Sequence, residues 1–353
     1  DTDRSRGLGD VYKRQIYTYV GNAGMRKELR QMHVAVTDEE TASPEYESAY
    51  ADYKKTYGGM YDTLDMHKIL EQKEKKSGYE PQGVWGSWIV RNYDRLQKRV
   101  EQIRKTGEGT YAFYPGNWYK LHTTLYGKLW KKLILQTAVL MILSMLYLMD
   151  YERIYKTQDL VLATTTGKKM MEKKMLAGTL CGLFYAGLLT VFTLLVFFAA
   201  VPFQNLWHVP VAACMVAEPR LQMMYPFVTF WWLEQWRYLL LALVVLVGLL
   251  GIVAAVTAAV QLFLQNSYFS FAVLGLLFMG AYLLAYVQMG NVWDLIRELF
   301  NPTVLYATSG GWFMENDLCL SFAGNEFAVL FCSGTAAVCL MAVGKRRYHR
   351  LEV

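Results

Sequence analysis

Apolar and polar positions divide this chain into two halves of different character. Up to residue 132 charged and apolar residues alternate at helical intervals. From Leu133 onward the chain is dominated by long apolar runs. A helix crossing a hydrocarbon core of about 30 Å needs roughly 20 such residues. Five segments qualify: Leu133–Met149, Met175–Ala200, Tyr238–Leu264, Tyr268–Tyr286 and Phe327–Val343. Only Gln265, Asn266 and Ser267 separate the third from the fourth, a tight turn between antiparallel helices. The expected fold is an all-α membrane protein, a polytopic helical bundle carrying an external helical domain.

The polar half also reads as helical. Glu39–Tyr57 and Met60–Lys76 are rich in Glu, Lys, Ala, Met and Tyr, and Gly58-Gly59 breaks them apart. Trp88–Lys105 sets Ile89, Leu96, Val100 and Ile103 near helical spacing with charges between them. Pro115-Gly116 marks a turn before the first span. The aromatics Trp118, Tyr119, Tyr126 and Trp130 fit an interfacial belt. Two later stretches, Trp207–Tyr238 with four Trp and three Pro, and Val292–Phe313 with the sequence WDLIRELFNP, suit the outer membrane surface. Each reads either as an interfacial loop or as a lid over a path.

Charge sets the expected orientation. The first 132 residues hold 23 of the 36 Lys/Arg and 18 of the 30 Asp/Glu, so the net charge of +6 does not point to nucleic acid. The tail GKRRYHRLEV carries four basic residues against one acid, and Asp150–Lys174 six against four. The loop Val287–Glu326 carries five acids and one Arg. Under the positive-inside bias the tail and the 150–174 connector share the cytoplasmic side. The expected placement is a multi-pass protein of the cell membrane with a cytoplasmic C-terminus and residues 16–132 extracytoplasmic. Lys128, Lys131 and Lys132 run against that bias, from which a long translocated domain is largely exempt.

Residues 1–15 contain Ser5–Gln15, SRGLGDVYKRQ, which resembles the in-frame translation of a sequencing adapter and is excluded from fold reasoning. Native sequence is then expected from about Ile16, with a truncated sixth span before it. The domains expected are an extracytoplasmic helical domain at 16–132 and a transmembrane domain at 133–353.

Little in the chain suggests chemistry. None of the five histidines lies within a span, and no span has an internal Asp, Glu, Lys or Arg. The deepest polar groups are Gln136, Ser144, Thr190, Thr257 and Gln261. Since ionisable groups at membrane depth mark proton and ion paths, this argues against an intramembrane hydrolase or a proton-driven transporter. Metal-ligand spacing is missing. Cys181, Cys332 and Cys339 fall in apolar runs, while Cys214 and Cys319 fall in outer loops where a disulfide between them is open. Thr166-Gly167-Lys168 lacks the upstream glycine and strand of a phosphate loop, so no ATP site is expected. Gly178 and Gly182 form a GxxxG step that serves either internal packing or a dimer seam.

The connector DYERIYKTQDLVLATTTGKKMMEKK is the most specific feature. Tyr151–Ala163 reads as a short helix, Thr164–Gly167 as a turn, and Lys168–Met175 as a second helix running into the next span. Topology alone accounts for the lysines but not for this helix-turn-helix shape. The pattern of Asp159, Leu160–Thr164, Thr166-Gly167-Lys168-Lys169 and Lys173-Lys174 resembles the cytoplasmic connector of ABC-2 type transporter permeases. The external insert and the short amphipathic helix before the last span extend the resemblance. It implies a permease subunit of an ATP-binding cassette exporter moving an amphipathic substrate (peptide, lipid or drug). It also implies that Asp159, Leu160, Thr166, Gly167, Lys168, Lys169, Lys173 and Lys174 couple to a separate ABC ATPase subunit. ATP and Mg would bind in that partner, with no cofactor and no enzyme activity in this chain. A second permease copy or a related permease would complete the path within the lipid bilayer. The alternative from a different class is a membrane sensor or scaffold whose external helical domain binds a ligand.

Overall fold

A computed structural model of the chain describes residues 60–77, 83–108, 122–157, 167–201, 203, 207–213, 215–218, 223–287, 292–315 and 322–351. The expected helix at Glu39–Tyr57, Pro115-Gly116, Trp118, Tyr119, Cys214 and Cys319 lie outside these residues. The chain divides into two compact units, one of residues 1–125 with 202–240, the other of 126–201 with 241–353. The polar unit thus ends at Leu125 rather than near 132, and it takes in the Trp-rich stretch after the second span.

In the first unit, α1 (Met60–Thr63), α2 (Met66–Ser77) and α3 (Gly83–Thr106) form the helical part. The Met60–Lys76 run breaks at Leu64-Asp65 because the Asp65 carboxylate accepts the His67 N–H at 3.0 Å, capping α2. Leu96, Val100 and Ile103 on α3 are buried at the expected spacing, as is Met66 on α2. Residues 207–235 join this core through polar contacts. The Tyr61 hydroxyl proton is shared between the carbonyls of Ala212 (2.6 Å) and Phe227 (2.8 Å). Arg99 Nε donates to the Thr229 carbonyl at 3.0 Å while its Nη1 and Nη2 grip the fully buried Glu108 carboxylate at 2.8 and 2.5 Å. A bidentate fork of this kind satisfies both charges without water. An antiparallel ribbon of β1 (Met215–Glu218) and β2 (Met223–Pro226), with Met215 opposite Pro226, is a short departure from an all-helical chain.

The second unit is the bundle. After a π-helical segment (Thr123–Leu129) come α4 (Trp130–Met149), α5 (Tyr151–Ile154) and α6 (Gly167–Ala200). Then follow α7 (Gln235–Leu264), α8 (Ser267–Ala285), α9 (Val292–Leu299), α10 (Thr303–Ala307) and α11 (Asn325–Leu351). Five helices are long and apolar enough to cross a membrane, at 123–149, 170–200, 235–264, 267–285 and 325–348. The chain therefore has the character of a multi-pass membrane protein. Each helix closes its own backbone hydrogen bonds, as hydrocarbon requires.

Small residues set the packing. A Cβ at Gly178 would lie 3.2 Å from Met145 Cα and one at Gly182 3.2 Å from Met141 Cα, so both glycines face α4. Ala186 and Thr190 continue this buried stripe at four-residue intervals. These contacts are internal to the chain. The opposite face of α6, including Leu180, Phe184, Leu188 and Leu195, is exposed and apolar, as a lipid-facing surface is. Elsewhere Gly248 on α7 faces Leu330 on α11, and Gly344 faces Leu262.

The aromatic belt expectation needs correcting at two positions. Tyr126 and Trp130 are fully buried, their ring centroids 5.8 Å apart. The reason is a close backbone crossing: a Cβ at Gly310 would stand 2.8 Å from Gly127 Cα. Only two glycines facing each other let the segment around Gly310 approach the π-helical turn so closely.

Gly182→Val is expected to lower stability by about 1–3 kcal/mol through overpacking against Met141. Gly187→Ala, with open space around it, should leave the melting temperature unchanged or slightly raised; thermal unfolding in detergent measures both. In the polar unit, Arg99→Met strands the Glu108 carboxylate and should cost about 3–5 kcal/mol. The double variant Arg99→Met/Glu108→Gln should recover part of that loss in the same assay.

Candidate functional site

One end of the second unit gathers the α4–α6 connector, the α7–α8 turn and the C-terminal end of α11. Asp150 follows the last turn of α4, where its N–H bonds the Leu146 carbonyl at 3.0 Å. Its carboxylate accepts from Ser267 Oγ at 2.8 Å and from the Ser267 N–H at 3.3 Å. That carboxylate therefore binds the first residue of α8. Asn266 caps the same helix, its side chain accepting from the N–H groups of Tyr268 and Phe269. Gln265 makes the reversal with φ 51°, and the whole turn needs just two non-helical residues.

α5 stops after one turn because the chain closes a Schellman motif. The Thr157 N–H reaches back to the Glu152 carbonyl at 2.8 Å and the Lys156 N–H to that of Arg153 at 3.2 Å. Lys156 occupies the left-handed position with φ 57°, where glycine is the usual residue. The first helix of the connector therefore ends at Ile154, well short of Ala163. Tyr147, Tyr151 and Tyr155 form an exposed ladder along this segment, with ring centroids 6.0 and 4.6 Å apart.

The second half of the connector is continuous with a span. α6 runs 34 residues from Gly167 to Ala200 without a break. At 1.5 Å per residue that is about 51 Å, well over the thickness of a hydrocarbon core. Two ion pairs secure its N-terminal turns. Lys174 Nζ pairs with the Glu152 carboxylate of α5, both largely shielded from solvent. Glu172 pairs with Lys345 of α11 at 2.5 Å. Arg347 lies over the Phe263 ring at 5.4 Å, adding a contact between α11 and the end of α7.

The residues expected to couple to a partner distribute as follows. Asp159, Leu160 and Thr166 lie outside the described residues. Gly167, Lys168 and Lys169 form the first turn of α6, where the structure describes the backbone. Lys173 is exposed on α6, and Lys174 turns inward to Glu152. Gly178 and Gly182 pack on α4. Sequence reasoning missed Asp150, Glu152, Glu172, Ser267 and Lys345 as the residues that tie this end together. Their partners are distant in sequence, so no local spacing pairs them.

The far end of the bundle holds charge that the sequence places on an outer surface. α9 is amphipathic as expected, but it buries Asp294 and Glu298 and exposes Trp293, Ile296 and Phe300. Arg297 is the reason. Its Nη1 donates to the carbonyls of Leu284 (2.6 Å) and Ala285 (3.1 Å), which end α8, while Nη2 lies 3.5 Å from Asp294 and 3.7 Å from Glu298. Glu326, also buried, accepts the Phe313 N–H at 2.6 Å and holds that residue at φ 61°. Among the described residues no cluster of three or more His, Cys, Asp or Glu could hold a metal ion.

Comparison with family models, with curated proteins and with solved structures gave no match to any of them.

The connector geometry generates its own test. Lys174→Glu sets two carboxylates against each other and should lower the melting temperature. Glu152→Lys/Lys174→Glu should restore most of the loss, because the pair is symmetric in charge. A double variant no better than the single one would show that the pair does not hold the connector.

Proposed function

We propose that this chain is the membrane-spanning permease subunit of an ATP-binding cassette exporter, driven by a separate ATPase subunit at the connector end. The observation that carries the reading is the unbroken helix from Gly167 to Ala200. Force applied at Gly167–Lys169 passes into the membrane without a glycine or proline hinge before Gly178. Transmission also needs neighbours that move together. Asp150–Ser267, Glu152–Lys174 and Glu172–Lys345 link the connector to α8, α6 and α11, so displacement there reaches several spans at once.

Orientation follows the same end. The connector, the α7–α8 turn and the tail share it, and it carries Lys168, Lys169, Lys173, Lys345, Arg346, Arg347 and Arg350. The positive-inside bias makes this end cytoplasmic. The polar unit then lies outside the cell, built from residues before the first span and from the loop two crossings later. An even number of crossings is what such a unit requires. The path is completed by a second copy or a related permease. The exported substrate in this reading is amphipathic, a peptide, lipid or drug.

The test is co-expression with candidate ABC ATPases and measurement of vanadate-sensitive ATP hydrolysis in the reconstituted complex. Deleting Asp159–Lys169 should abolish stimulation of hydrolysis, and reversing Asp159 or Lys168-Lys169 should weaken co-purification at least several-fold. Stimulated hydrolysis that survives the deletion would sink the coupling assignment.

A further inference from the structure

Lys131 sits where the charge bias expects few lysines, yet it is held in a built environment. Its Nζ lies 3.4 Å from the Ala307 carbonyl, 5.2 Å from the Tyr306 ring centroid and 6.0 Å from that of Tyr282. The rings are braced against one another. Tyr282 and Tyr306 stand edge to face at 5.6 Å, Tyr282 and Tyr286 at 5.2 Å, and Phe278 closes on Tyr306 at 5.5 Å. Among the described residues no carboxylate comes within 4.0 Å of the Lys131 ammonium, so its charge has aromatic and carbonyl neighbours but no counter-ion.

Several donors in this group have no acceptor among the described residues. An ammonium carries three N–H bonds, and one long contact to Ala307 uses one of them. The Tyr282 and Tyr286 hydroxyls bond each other at 2.9 Å, which engages one of their two protons and leaves the other. Burial, with a hydrogen bond and charge from Tyr282, pushes Tyr286 up to about 12, and burial raises Tyr306, so these two hydroxyls keep their protons at neutral pH. One positive charge with several free donors and no anion is the chemistry of an anion site.

We propose that Lys131, Tyr306 and the Tyr282–Tyr286 hydroxyl pair bind the phosphate of a phospholipid headgroup. Two features select lipid phosphate over the free ion. The group lies at the first turn of α4 and the last turn of α8, at the ends of two membrane-crossing helices. Below Lys131 on α4, Leu135, Val139 and Leu143 follow at four-residue steps, all exposed, and give an acyl chain an apolar lane. Met279 and Leu276 on α8 are exposed below Tyr282 in the same direction along the bundle.

The test uses the purified full chain, delipidated in detergent, with thermal unfolding read against added phosphatidylglycerol, diacylglycerol of the same acyl chains, and inorganic phosphate. Phosphatidylglycerol should raise the melting temperature of the wild type, with diacylglycerol and inorganic phosphate giving little shift. Lys131→Met should lose the shift and Lys131→Arg retain it. Should Lys131→Met fail to fold, Tyr306→Phe keeps the ring and removes one hydroxyl. Native mass spectrometry should then show several-fold less retained phosphatidylglycerol than in the wild type. An equal shift from diacylglycerol would reduce the site to chain contact, and an equal shift from inorganic phosphate would make it a soluble-anion site. Either result, or an undiminished lipid shift in Lys131→Met, overturns the proposal.

Discussion

A backbone amide or a charge left without a partner in hydrocarbon costs several kcal/mol, and the architecture of the bundle follows from that cost. Its spans are unbroken helices with small residues at their contacts. Gly178 and Gly182 bring α6 against Met145 and Met141 of α4, where attraction between helices comes from close packing rather than from water. Where the chain must turn, side chains satisfy the free backbone groups. Asn266 caps α8 at one end and Arg297 takes its last carbonyls at the other.

The same cost explains the orientation of α9. An amphipathic helix on a soluble protein turns its charges to water. Here Asp294, Arg297 and Glu298 turn inward, where Arg297 both neutralises the carboxylates and caps α8. Trp293, Ile296 and Phe300 are left facing outward, an arrangement stable against an apolar or interfacial surrounding. At the connector end the solution differs. Charge is paired across elements, and the surplus is basic and exposed.

Much of the fold was legible in the chain. All five spans appear where expected, although the first begins earlier, at Thr123, and the last runs on to Tyr348, because a run of about 20 apolar residues has few other stable fates. The core positions Leu96, Val100 and Ile103 were readable from their spacing. The break at Lys156 was not, since the Schellman motif there uses lysine in a place where glycine would have signalled it. Tyr126 and Trp130 looked interfacial because burial depends on the Gly127–Gly310 crossing, which joins residues far apart in the chain. Of the residues expected to couple, the continuity of Lys168–Lys174 with the span followed from uninterrupted helix-forming residues, whereas Gly167, expected in a turn, already opens the helix. The clasp of Asp150 on Ser267 had no local trace.

By itself the sequence determined the long apolar helices, that they are long and apolar enough for a bilayer, and where positive charge concentrates. Those properties are local sums over neighbouring residues. Only the tertiary structure decided that the GxxxG step packs within the chain, that α9 buries its charges, that residues 207–235 complete the polar unit, and that Lys131 lies among aromatic rings with no carboxylate beside it among the described residues. Each of these depends on which distant surfaces meet, and a pairing of that kind has no signature in spacing or composition.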